Sequence, residues 1–170
     1  SDLQSDAQYP NGVFTTEVLT SFSTLALTGG DLATNPRYGA LGNNYGTHVY
    51  GWITPAVSGE YTFFIRSDDA SELWLSSNET PATVDLIAFE TGCCDPFKEP
   101  AEGVTETSQP IALVAGTRYF IEAFQKEGGG GDFLQVAWRL AGDATAAGTL
   151  PAIPGTFLSA YAPTIPLGVI

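Results

Sequence analysis

Two adjacent carboxylates, Asp68-Asp69, are the residues of this sequence best suited to chemistry. Neighbouring carboxylates repel each other, and keeping both ionised calls for a cation or several hydrogen-bond donors close by. Calcium answers that need, because it takes roughly six to eight oxygen ligands in flexible geometry, which suits carboxylates, carbonyls and water better than zinc does. Successive side chains of a strand point to opposite faces, so both acids reach one ion only if the backbone between them is abnormal, as across a cis peptide. The plainer reading is an Asx-type turn carrying two solvated acids, and this segment alone leaves both open.

A second stretch supplies further oxygens. Gly128 to Gly131 form a run of four glycines that ends in Asp132 and is preceded by Glu127. Such a run exposes backbone carbonyls and amides without obstruction, so Gly129, Gly130, Gly131 and Asp132 are candidate metal ligands beside Asp68 and Asp69. A flexible hairpin loop is the competing reading. Both cysteines are adjacent, Cys93-Cys94, and cannot staple distant elements to each other. They are either free thiols or a vicinal disulfide, and an oxidising setting favours the second. As a ring they offer a rigid apolar knuckle that packs against a sugar face or serves only as a kink. His48 is the single histidine and, with no nucleophile nearby in the sequence, is read as an ordinary strand residue.

The elements that must position these groups read as strands. Tyr61 to Arg66 is aromatic or β-branched on both faces, as in a buried strand, and the chain resumes at Leu73 with Trp74 and Leu75. Tyr45–Thr54, Thr83–Glu90, Pro110–Val114 and Thr117–Gln125 are further strands. Leu134, Val136, Trp138 and Leu140 mark one face of the strand after the glycine loop. Gly12–Phe22 is read as a first strand, Leu25–Asn44 as an irregular connection, and Leu150–Leu158 as a short final strand. Trp74 and Trp138 are read as core.

No window shows a sustained helical period, glycine and proline number 19 and 11, and methionine is absent, so the chain reads as all-β. Its 170 residues suit one domain, placed at 12–159, with linkers at 1–11 and 160–170. The formal net charge of −13 argues against nucleic-acid and anionic-membrane partners and permits a cation. No signal peptide and no apolar run of bilayer-spanning length is visible, as expected of an excised, monomeric module. Asn78-Glu-Thr80 is an acceptor sequon, relevant only in a eukaryotic secretory pathway.

Several ordered pieces carry a resemblance: Asn44-Tyr-Gly-Thr47, Gly51-Trp-Ile-Thr-Pro55, Ser58-Gly-Glu-Tyr-Thr-Phe63, Ser67-Asp-Asp-Ala-Ser-Glu-Leu-Trp-Leu-Ser76, Ala115-Gly-Thr-Arg-Tyr119 and Lys126-Glu-Gly-Gly-Gly-Gly-Asp132. With Ile153-Pro-Gly-Thr-Phe-Leu-Ser159, they make the chain resemble the domain family named after the protective antigen of anthrax toxin, over nearly its whole length. The resemblance implies an antiparallel, jelly-roll-like β-sandwich whose long loops at one end form a calcium and sugar site. Flocculins and epithelial adhesins of that family hold calcium with a cis-linked aspartate pair and a second loop, and sugar hydroxyls complete the coordination. Asp68 and Asp69 match the pair and the glycine loop matches the second loop, with Gln125 and Lys126 just before it as candidate ligand contacts. The asparagine that the yeast members place in that loop is lacking. The resemblance assigns no role to Cys93-Cys94; stacking on a sugar is expected from Tyr45, Phe97 or the cysteine pair.

The resulting expectation is a calcium-dependent lectin or adhesin module of an extracellular or cell-surface protein, binding a glycan and performing no catalysis. A glycosidase needs two carboxyls about 5 to 9 Å apart, which adjacent aspartates do not naturally offer. The alternative is a structural or protein-interaction spacer with a purely structural calcium.

Overall fold

The computed structural model describes residues 17–28 and 43–161. Eight strands make up nearly all of the regular structure there: β1 (Tyr45–Ile53), β2 (Gly59–Asp68), β3 (Ser71–Ser76), β4 (Val84–Glu90), β5 (Ile111–Leu113), β6 (Tyr119–Glu127), β7 (Phe133–Leu140) and β8 (Leu158–Ser159). They form an antiparallel sandwich, with β4-β3-β6-β1-β8 in one sheet and β5-β2-β7 in the other. Among the described residues no helix is long and apolar enough to cross a membrane, which says nothing of a β-barrel.

Period-two alternation explains the core. Tyr61, Phe63 and Ile65 of β2 point between the sheets and meet Leu73 and Leu75 of β3 and Ile121 of β6, all nearly inaccessible. Phe64 points the other way yet is equally buried, because it meets Phe97, Ala137 and Ala147 in a second cluster outside the smaller sheet. Both faces of β2 are therefore covered, as its unbroken apolar run required.

The strands expected around the two loops are present, with small shifts at their ends. The expected first strand is a correction. Residues 12–16 lie outside the described set, and the described remainder makes only isolated bridges, Ser21 to Pro154 and Ser23 to Gln135, with Phe22 buried. A short helix, α1 (Leu25–Thr28), follows where an irregular connection was expected; residues 29–42 of that connection, the linker 1–11, and the linker 160–170 from residue 162 on lie outside the described residues. Trp138 packs against the core as expected, but Trp74 does not. Its neighbours Leu73 and Leu75 take the inward positions, so Trp74 faces outward, with its indole N–H donating to Glu72 at 3.1 Å.

The topology brings the candidate loops together. β2 and β3 belong to different sheets, so the chain crosses the sandwich at Asp68-Asp69. β6 and β7 are likewise in different sheets, and Gly128–Asp132 makes that second crossing. Because β3 lies beside β6 and β2 beside β7, the two corners are neighbours at one end of the molecule. The connection from β4 to β5, which holds the cysteines, leaves from the same end, since Glu90 pairs with Ser71.

Candidate functional site

The inward row of β6 explains how the site is built. Tyr119, Ile121 and Ala123 serve the apolar core, and the same alternation then delivers Gln125 and Glu127, respectively 3% and 2% exposed. Ser67, the inward residue before the β2 corner, is also buried. Its hydroxyl donates to the Asp69 carbonyl and lies 2.6 Å from the Ser71 hydroxyl. Gln125 donates its side-chain N–H to the Asp68 carbonyl, and the Lys126 amide donates to the Ala70 carbonyl at 2.8 Å. A layer of hydroxyl and amide groups thus closes the core and fixes the backbone on which the two aspartates stand.

The peptide bond between Asp68 and Asp69 is cis. Oxygens of Asp68, Asp69 and Glu127 lie within 4.8 Å of one another. Asp69 is oriented by the Gly128 amide, which donates to its Oδ2 at 2.8 Å. Both carboxylate oxygens of Glu127 are buried without a hydrogen-bond partner. Burial pushes the Glu127 carboxyl up to about 7, and the charges of Asp69, Asp68 and Asp132 add to the effect. The nearby Gly129 amide acts weakly in the opposite direction without reaching hydrogen-bond geometry. The Asp68 carboxyl is also raised, by burial first and then by Asp69 and Asp132. Three mutually repelling carboxyls, one of them buried without a donor, form an all-oxygen set that a hard cation fits.

The other candidates are placed as follows. Asp132 is buried and accepts a hydrogen bond from the Tyr45 hydroxyl; it stands near enough to raise the carboxyls of Asp68 and Glu127 but outside the close group. Gly129 and Gly130 are exposed, Gly131 half-buried, and Asn43 lies against Gly129. Gln125, read as a ligand contact, is buried and donates its side-chain N–H to the Asp68 carbonyl. The Lys126 side chain is exposed. Cys93 and Cys94 form the vicinal disulfide and lie exposed, with their sulfurs within 4.8 Å of an Asp68 oxygen. Disulfide sulfurs are not thiolates, so these two residues add no metal-ligating group to the carboxylate oxygens. Phe97, a candidate for sugar stacking, is buried against Phe64 beneath the Arg66 guanidinium, which lies 5.5 Å from its ring centre. His48 stacks on Phe124 and bonds Glu122 at 2.8 Å, with no part in this site.

Glu127 was visible in the sequence as an acid flanking the glycines and supplying further oxygens, but was not named among the metal ligands. The signal that places it is the inward row of its strand, continued by two residues past Ala123.

A Cβ added at Gly128 would stand 2.8 Å from Asp69 Oδ2. Gly128→Ala is therefore expected to displace that carboxylate and, on the calcium reading proposed below, to weaken calcium binding about tenfold, with the melting temperature of the metal-free protein little changed. Calorimetric titration of calcium into the two proteins checks this, and equal affinities would remove Asp69 from the ligand set.

The chain covers small parts of the sequence relatives it matches. It is 37% identical over 112 residues to the mouse N-acetyl-beta-glucosaminyl-glycoprotein 4-beta-N-acetylgalactosaminyltransferase 1, covering 64% of this chain and 10% of that protein. It is 31% identical over 88 residues to dog fibrocystin, covering 48% of this chain and 2% of that protein. Two solved structures share the fold. One is an anti-sigma factor domain-containing protein from Clostridium clariflavum, with 20% identity, TM-score 0.61, and coverage of 89% of this chain and 43% of that one. The other is the epithelial adhesin 6 A domain of Candida glabrata in complex with Galb1-3GlcNAc, with 18% identity, TM-score 0.50, and coverage of 70% and 52%. Residues 9–146 match the model of the PA14 domain, the family to which the sequence pointed, and the chain belongs to it.

Proposed function

We propose that this chain is a calcium-dependent carbohydrate-binding module of a larger secreted or cell-surface protein, and that it is not itself catalytic. The observation that carries the reading is the Glu127 carboxylate, buried without a hydrogen-bond partner within 4.8 Å of both aspartates. A buried carboxylate without a donor costs several kcal/mol if ionised, roughly, and a cation at the mouth of the site offsets that cost. Asp68, Asp69 and Glu127 would hold the ion, with the Gly129–Asp132 loop beside them. Calcium bound there would offer open coordination positions to two neighbouring sugar hydroxyls. Asp68 and Asp69, only half-buried, would accept hydrogen bonds from the same hydroxyls, while Gln125 and Ser67 hold their backbone in place.

Membership of the PA14 family supports this reading, and one of its structural neighbours is an adhesin domain solved with a disaccharide. The match to the mouse transferase covers a tenth of that protein, too little to carry its transfer activity over to this chain. The carboxyl cluster does not favour hydrolysis, because Glu127 is buried and has no open face toward a scissile bond. The depth of Glu127 does suit a second reading, a spacer in which calcium only ties the two corners together.

Titrating calcium into chelator-treated protein, then methyl glycosides with and without the ion, separates these. Calcium binding and calcium-dependent sugar binding are both expected, and both should be lost in Asp69→Ala. Calcium binding without a sugar response would leave the spacer; no calcium binding would remove the site.

A further inference from the structure

The Cys93-Cys94 segment is held more firmly than an exposed loop need be. At one end the Gly92 amide donates to Glu90 Oε1 at 2.9 Å. In the middle the Cys94 amide donates to the Ser67 carbonyl at 2.9 Å, one residue before the aspartate pair, and Cys94 adopts φ 77°. Beyond it Phe97 is buried in the cluster around Phe64, and the Thr107 hydroxyl donates to the Lys98 carbonyl at 2.6 Å. Every anchor is internal, yet residues 91–96 are themselves exposed. The two sulfurs are thereby presented to solvent within 4.8 Å of an Asp68 oxygen.

A disulfide is polarisable, apolar in character and a poor hydrogen-bonding partner. Beside a cluster of charged oxygens it presents the opposite chemistry. Of the other two groups expected to stack on a sugar, Phe97 is buried, and Tyr45 is half-buried with its hydroxyl bonded to Asp132. We infer that the Cys93-Cys94 disulfide is the apolar wall of the sugar subsite, facing a carbon-bound hydrogen surface of a pyranose whose vicinal hydroxyls are turned toward Asp68 and Asp69. The wall selects sugars that carry a vicinal diol beside a contiguous C–H face or a C-methyl group. Galacto-configured hexoses and 6-deoxyhexoses present that combination. This inference rests on the carbohydrate reading above, and its test is arranged to fail separately.

The probes are the methyl glycosides of galactose, fucose, mannose and glucose at saturating calcium. The galactoside or the fucoside is expected to bind more tightly than the glucoside. Cys93→Ser/Cys94→Ser should lower affinity for that sugar about tenfold, the loss of a small apolar contact, and leave calcium affinity within roughly threefold. In deuterated protein carrying protonated cysteine, saturating the cysteine β-protons should transfer magnetisation to the bound sugar's ring or methyl protons, which tests the wild-type protein without any variant. Unchanged sugar affinity in the double variant, or no transfer from cysteine, overturns the wall while leaving calcium-dependent sugar binding intact. Loss of calcium affinity in the variant also overturns it, by making the disulfide a support of the carboxylates. If none of the glycosides binds the wild-type protein, the carbohydrate reading falls and this inference with it.

Discussion

Glu127→Gln is expected to weaken calcium binding about 100-fold while leaving the metal-free protein at least as stable as before. Glutamine keeps the shape of the side chain and one carbonyl oxygen, so the loss reports the missing charge. In the metal-free protein that charge is a burden, because three carboxyls lie within 4.8 Å and neither Glu127 oxygen has a donor. A carboxyl held above its ordinary value favours the fold when protonated; that contribution fades as pH rises from the unfolded value and is gone above about 7. The metal-free variant should therefore melt higher than wild type at pH 8 and show no advantage at pH 4. Titration calorimetry and thermal melts with chelator check both halves. Equal calcium affinities would show that Glu127 does not reach the ion.

Phe64→Ala should have the largest effect on stability, about 4 kcal/mol, corresponding to a drop in melting temperature of roughly 8–16 °C. The ring is fully buried, its edge meets Phe97 with centroids 6.3 Å apart, and the Arg139 guanidinium lies 5.2 Å from its centre. It is also the floor on which the Phe97 end of the cysteine segment rests. The variant should consequently be cleaved faster by protease within residues 91–98, while calcium affinity, which the proposed site assigns to the Asp68-Asp69 corner of the same strand, changes little. Denaturant unfolding and limited proteolysis read these separately. A loss of under 1 kcal/mol would mean that the second cluster closes over the gap and contributes little.

What the sequence revealed depended on how directly a pattern maps to position. Both-face burial of β2 was legible in Phe63-Phe64-Ile65, because no solvent-facing residue interrupts the run. The two corners were legible as an acidic pair and a glycine run, each between strands. That they adjoin was not legible from either segment alone, since it follows from each crossing between the sheets on neighbouring strands. Trp74 was misread because local hydrophobicity was counted without phase: Leu73 and Leu75 claim the inward side, and the residue between them must face out. Gln125 shows the weight of phase from the other side. Its amide suits a sugar, but its place in the inward row of β6 commits it to a backbone carbonyl. The state of the cysteines followed from no pattern, since adjacency allows thiols and disulfide alike.

The hydroxyl and amide layer of Ser67, Ser71 and Gln125 has a consequence for how such a molecule changes over time. These groups bond to one another and to the corner backbone, so the hydrocarbon interior ends beneath them rather than running up into the loops. Substitutions among the exposed side chains of residues 91–96 alter what the end of the sandwich presents without changing the volume that must be packed below. Specificity can therefore drift by single steps while foldability is inherited intact, which makes the frame a durable host for successive ligands.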